Sequence, residues 1–374
     1  MNAMTDITTD VLTFKEGFAG RLRLNRPRAL HSLNRAMVNG MSAALNEWRD
    51  DADVRIIIID HAVDPDGDPK LSRGFCAGGD VVGIANNIDG HEAAARAFFF
   101  DEYRLNHLEY TYPKPGVVFM DGVTMGGGVG IACPCRYRVA TERTVLAMPE
   151  TTIGIFPDVG GGRYLSRLRG RLAQFLALTG ARLDGAECLK LRLATHYLPS
   201  ERVEEAKERI MAQPFRVQAI LDELAEEHVP EARIAANLGR IDRYFASDRL
   251  ETILDALDAG AAEGDEWAAT EAATIRKKSP TACKVSLKLL VESPAQLHFV
   301  DEMRLEYGIM VRMIRHPDFK EGVRALLVDR DNQPDWSPAT PEAVSDAEID
   351  LFFEPLPEEE AWTPFPAYLP ESAA

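Results

Sequence analysis

The sequence predicts an α/β protein, a core of repeated β-β-α units followed by an enlarged helical C-terminal region. Three features carry that reading. Two short apolar runs each lead into a glycine-rich turn and a helix start, a pair of strands then precedes a long helical stretch, and beyond about Ala181 strands become scarce. The chain has 374 residues, which allows one large domain with additions or two domains.

Taken in order, DVLTFKEG and GRLRLNRP read as a hairpin. Leu22 and Leu24 alternate with Arg21 and Arg23 until Pro27 stops the run. From Ser32 to Trp48 the apolar positions Leu33, Met37, Met41, Ala44, Leu45 and Trp48 recur at helical spacing, with Asn34 as the expected N-cap. Arg55 to Asp60 (RIIIID) has the composition of a strand buried on both faces. The polar stretch HAVDPDGDPKLSRG is a surface loop, and FCAGGDVVGIA is a glycine turn running into a helix. The same device recurs as VVFM, Val117 to Met120, followed by DGVTMGGGVGIAC. RYRVAT and TVLAMP are further strands, and ETTIGIFPDVGGG opens a long helical region from Arg163 through Thr179. Helix-forming sequence then continues with breaks near Pro214, Pro230, Gly264 and Pro280. From Pro334 the chain is rich in proline and acid, as expected of an extended tail wrapped on the surface or partly disordered.

Composition narrows the function classes. Hydrophobic residues make up 46% and charged residues 27%, which suits a folded globular chain. With 42 basic against 59 acidic residues the formal charge is -17, which opposes attraction to nucleic-acid phosphates and anionic lipid. An anionic ligand must therefore be held by local donors. Five cysteines without a CxxC pair, and histidines without ligand spacing, support neither a disulfide scaffold nor a metal site. No apolar run reaches membrane-spanning length, and the N-terminal stretch reads as neither a signal nor a transit peptide. The expected location is cytoplasmic.

Two constellations could carry chemistry. The turns Cys76-Ala77-Gly78-Gly79 and Gly126-Gly127-Gly128 each lie between an apolar strand and a helix start, where backbone N–H groups are unpaired and glycine permits close approach. Singly, such turns need only provide tight geometry; converging, they would form an oxyanion hole. Neither a dinucleotide GxGxxG nor a phosphate loop, an HExxH or a GxSxG elbow is present. The second constellation is Glu150 and Asp158, acids set among apolar and small residues. Poor solvation there raises carboxyl pKa values and suits acid/base or nucleophilic work; the bland alternatives are a helix cap for Asp158, which composition alone favours, and an exposed loop acid for Glu150.

DGVTMGGGVGIA, with RVATERTVLAMPETTIGIFPDVGGGRYLSRLRG and FLALTGARL, resembles the crotonase (enoyl-CoA hydratase/isomerase) superfamily, in its 3-hydroxyisobutyryl-CoA hydrolase branch. GFCAGGD, LNRPRALHSLN and the C-terminal EYGIMVRMIRHPDFKEGVRALLVDRDNQPDW extend the likeness over about residues 10 to 340. The resemblance implies a crotonase-like ββα spiral core at 1–205, a helical C-terminal region at 206–335 completing the active-site domain, and the extended tail at 336–374. It also implies that Ala77 and Gly127 are oxyanion donors, that Glu150 and Asp158 are catalytic, and that Glu102, Gly127, Glu150 and Asp158 bind substrate. The implied reaction is hydrolysis of a short branched 3-hydroxyacyl-CoA in valine degradation, with coenzyme A as part of the substrate and no separate cofactor. A homo-oligomer is left open.

Two-glutamate hydratases carry an acid three residues after the middle glycine, where this sequence has Gly130. With that pair incomplete and Glu150 and Asp158 present, hydrolysis is favoured; Asp158 in FPDVGGG and Gly130 speak against a single-glutamate hydratase or isomerase of the same fold, and intact Glu150, Asp158 and Gly127 against a non-catalytic CoA-binding protein. His107 and His196 are read as structural, and Cys133 and Cys135 as buried thiols.

Overall fold

A computed structural model describes residues 10–64, 66–68, 73–86 and 88–366. The expectations for the first nine residues, for part of the 61–74 loop and for the end of the tail fall outside the described residues.

Ten short strands form two sheets among the described residues: β1 (Val11–Glu16), β2 (Ala19–Leu24), β3 (Ile56–His61), β4 (Gly74–Cys76), β5 (Gly116–Met120), β6 (Val123–Met125), β7 (Tyr137–Ala140), β8 (Val145–Ala147), β9 (Leu183–Asp184) and β10 (His196–Tyr197). The larger sheet runs β1-β2-β3-β5-β7-β10 and the smaller β4-β6-β8-β9. Successive pairs β3/β4, β5/β6 and β7/β8 thus place one strand in each sheet, which is the spiral read from the sequence. The hairpin β1/β2 is antiparallel in the expected position, and β2/β3, β3/β5, β5/β7 and β7/β10 are parallel. The smaller sheet was not foreseen, because three-residue strands such as β4 and β6 are too short to show a period.

The helices used below are α1 (Arg35–Trp48), α2 (Ile88–Tyr110), α3 (Gly127–Ala132), α4 (Gly161–Ser166), α5 (Leu172–Thr179), α6 (Val203–Ala212), α7 (Val217–Leu224), α8 (Pro280–Glu292), α9 (Phe299–Met313) and α10 (Asp346–Phe352). Asn34 caps α1 as expected, its side chain accepting from the Met37 N–H at 2.9 Å. The isoleucine run divides by parity. Ile56 and Ile58 pack with Val203, Ala206, Ile220 and Leu221 of α6 and α7, whereas Ile57 and Ile59 face the main core. Helical sequence beyond 205 therefore covers one face of the sheet directly.

Two expectations need correction. The helical region from Arg163 through Thr179 is two helices, α4 ending at Ser166 and α5 starting at Leu172, with Gly170 at a φ of 63° in the turn between them. The tail is also more ordered than its prolines suggest. It forms α10, buries Val344, Ile349 and Phe352, and seats Trp362 at 1% exposure with its indole N–H donating to the Phe100 carbonyl on α2. Apolar side chains spaced between the prolines give it enough buried area to hold against the body.

Candidate active site

The register of the smaller sheet assembles the site. β6 and β8 run parallel with Met125 opposite Ala147, so the chain leaves both strands at the same edge. From β6 it enters Gly126-Gly127-Gly128, and from β8 it reaches Glu150 through Met148 and Pro149. Gly126 needs its φ of 49°, and a Cβ there would stand 2.9 Å from Glu150 Oε1. β4, pairing β6 on the other side, delivers the second glycine turn, where Gly78 has a φ of 102°. A Cβ on Gly78 would lie 3.6 Å from the Gly127 nitrogen, and one on Gly127 would lie 3.4 Å from the Gly79 nitrogen. The two turns converge.

One donor assignment changes. The Ala77 N–H donates to the Leu30 carbonyl at 3.0 Å and is not free to receive a ligand. The N–H groups of Gly79 and Gly127, by contrast, meet no acceptor among the described residues. The resemblance pointed to Ala77, whose pairing with Leu30 is a tertiary contact that the motif does not show.

Three carboxyls surround this point. Glu102, on α2, is 2% exposed, and its Oε1 lies 2.5 Å from a Cβ built on Gly127. Glu150 and Asp158 are each 5% exposed. Neither Glu102 Oε1 nor Glu150 Oε2 has a hydrogen-bond partner. Asp158 accepts from the Tyr103 hydroxyl at 2.7 Å. It is not the cap of α4, a place taken by Gly160. Glu102 and Tyr103 are neighbours on α2, so that helix reaches both the glycine turn and Asp158.

Burial sets the proton affinities. It pushes Glu102 and Glu150 well above the usual carboxyl range, and the neighbouring Asp158 charge adds to the rise in both. Burial also raises Asp158, to about 7, against the opposing effect of the Tyr103 hydrogen bond. Lys278 stands near enough to Glu150 to favour its charged form, while its own ammonium donates to Thr152 Oγ1 at 2.6 Å. Among the described residues, no cluster of three or more His, Cys, Asp or Glu side chains could hold a metal ion.

At Gly130, a Cβ would meet Val159 Cβ at 2.6 Å and Asn106 Nδ2 at 3.1 Å. No carboxylate fits there without moving the Asp158 turn. His107 stacks on Phe299, and His196 is engaged by Gln218 and Thr195, away from the carboxyls. Sequence reasoning named Gly79 only as part of its glycine turn and missed Tyr103, Lys278 and the α9 acids Glu302 and Glu306. Of these four, the two glutamates left a trace, as acids four apart on an apolar helix face.

The enoyl-CoA hydratase/isomerase family profile matches residues 19–353. A relative from Gallus gallus named 3-hydroxyisobutyryl-CoA hydrolase, mitochondrial, is 39% identical over 94% of this chain and 90% of its own. A probable 3-hydroxyisobutyryl-CoA hydrolase of Arabidopsis thaliana is 36% identical over 95% and 94%. Among solved structures, a carnitinyl-CoA dehydratase from Mycobacterium thermoresistibile superposes with a TM-score of 0.85 at 39% identity, covering 93% of this chain and 97% of that one. An enoyl-CoA hydratase from Rhodobacter sphaeroides gives 0.83 at 35%, covering 95% and 100%. These names divide between hydrolysis and hydration, but the fold, the paired glycine turns and the full-length likeness agree: this chain belongs to the enoyl-CoA hydratase/isomerase family.

Proposed function

We propose that this protein is a thioester hydrolase that converts 3-hydroxyisobutyryl-CoA to 3-hydroxyisobutyrate and coenzyme A. The observation that carries the choice is Gly130. Hydration by a carboxyl pair needs a second acid at that position, and Val159 and Asn106 fill the space it would occupy. The similarity to named hydrolases over nearly the whole chain points the same way.

The thioester carbonyl oxygen accepts from the Gly79 and Gly127 N–H groups, which stabilise the charge that develops on it in a tetrahedral intermediate. Glu150 supplies the attacking oxygen, its own or that of a water it deprotonates; burial makes its carboxylate a stronger base for either task. Asp158, aimed by Tyr103, holds or moves a proton close to neutral pH and orients the 3-hydroxyl or the water. Glu102 stands over Gly127 as a substrate contact. The place in valine degradation belongs to this proposal, and so does the cytoplasmic location; relatives carry "mitochondrial" in their names.

One preparation assayed for two reactions tests the reading. Free thiol should appear from 3-hydroxyisobutyryl-CoA, while crotonyl-CoA should keep its enoyl absorbance. Efficient hydration with little thiol release would overturn the hydrolase and leave the oxyanion hole standing.

A further inference from the structure

Behind Asp158 the chain makes an awkward turn. Val159, a β-branched residue, sits at a φ of 53°, and Gly160 follows at 87°. Such a conformation is strained and persists only where its surroundings hold it. The holder is Glu306 of α9. Its carboxylate accepts the Gly160 N–H at 2.7 Å and the Gly162 N–H at 3.2 Å, so one side chain grips the turn at two points.

Glu306 is itself gripped. One helical turn earlier, Glu302 stands against the same Gly162 that Glu306 holds; Ser293 Oγ donates to Glu302 Oε1 at 2.6 Å, and Glu302 Oε2 has no other donor among the described residues. Both glutamates are 0% exposed, so two carboxylates in contact there must share a proton. Glycine is required opposite them, since a Cβ on Gly162 would lie 2.5 Å from Glu302 Oε1. The charged and titratable groups facing the pair are Asp158 and Tyr103 on the site side, and Arg163, Arg167 and Tyr164 from α4 and its end. No salt bridge joins either arginine to the pair among the described residues. Arg163 donates instead to the Gln296 carbonyl at 3.0 Å.

We propose that Glu306, locked by one proton shared with Glu302, is a positioning residue that holds Asp158 in its working orientation, and that loss of this proton releases the turn. The inference rests on the assignment of Asp158 above. The direction with pH follows from the buried pair. Burial raises both carboxyls, Glu302 to about 7 and Glu306 further, so the pair sheds one proton as pH rises through about 7 and loses the shared one only in more alkaline solution. Activity should show an alkaline fall that neither Glu302 nor Glu306 causes by touching substrate.

The test compares the wild type with E302Q and E306Q. The amide introduced by E302Q would replace the labile proton with a permanent N–H donor to Glu306, so the alkaline fall in kcat should move up by about one pH unit or more. The E306Q side chain offers a single acceptor to two N–H donors, and kcat should drop about a hundredfold at every pH, because a small misplacement near the reacting atoms costs that much. KM should stay within about threefold. Hydrogen exchange at the Gly160 and Gly162 amides gives a readout without turnover, and E306Q should lose protection there by about tenfold or more. Equal exchange in the wild type and E306Q, or an E302Q alkaline limb that coincides with the wild type, overturns the lock. If the wild type releases no thiol yet the amides respond as described, the substrate reading fails and the lock stands.

Discussion

Asp60, near the end of β3, and Glu150, just past the end of β8, are both buried carboxyls, and they are treated in opposite ways. Asp60 is 0% exposed and is met by Arg21 at 2.7 Å, Lys207 at 2.9 Å and Arg23 at 3.2 Å. Those contacts tie β2, β3 and α6 together. Glu150 keeps an oxygen with no partner, has two other acids nearby and feels the Lys278 charge only at a distance. The difference separates a charge used for cohesion from one that, on the function proposed, is kept reactive. Where cations saturate a buried carboxylate, it fixes elements; where they are withheld, desolvation raises its basicity and leaves lone pairs for a substrate.

Replacing each acid by its amide sharpens this contrast. E150Q should reduce thiol release by about two orders of magnitude or more, because the carboxylate acts in the chemical step. Its melting temperature should hold or rise, since a neutral amide avoids the burial cost that raises the Glu150 pKa. A large loss of stability with activity intact would make Glu150 structural and erase the distinction. D60N should do the reverse. Taking the charge from a carboxylate that three cations surround leaves them uncompensated, at a cost of about 3 kcal/mol in denaturant unfolding, while kcat in the folded fraction stays within about twofold.

Tyr103 lies between these extremes, since its hydroxyl steadies a site acid without neutralising it. Y103F should lower kcat about tenfold. It should also raise the Asp158 pKa above its value of about 7, because the lost hydrogen bond favours the ionised form. The pH profile reads that shift, and a fall in kcat with an unmoved profile would assign Tyr103 to packing alone. Linkage gives the sign for stability. Asp158 holds its proton more tightly folded than unfolded, so its contribution is full below the ordinary carboxyl range and is lost as pH rises through about 7.

Much of this arrangement was legible in the sequence. Alternation gave the hairpin, the unbroken isoleucine run gave a strand buried on both faces, and glycine turns after apolar runs marked where a backbone could approach a ligand. The resemblance carried by MPET and FPDVGGG placed Glu150 and Asp158, and the structure brings both, with Glu102, to the glycine turns. These are local properties, set by residue type and spacing along a few residues, and a linear reading can hold them. Which N–H groups are free was a different matter. Ala77 is occupied by Leu30, nearly fifty residues away, and Gly79 is open only because of that pairing's register. The same holds for Tyr103 against Asp158, for Glu306 against Gly160, and for Val159 filling the space at Gly130. Residue type and spacing set the strand–turn–helix units and the acids available to them; folding settled which donors stay unpaired and which acids lack a cation, because a hydrogen bond or an ion pair depends on distance in space, and distant segments meet only when the chain has folded.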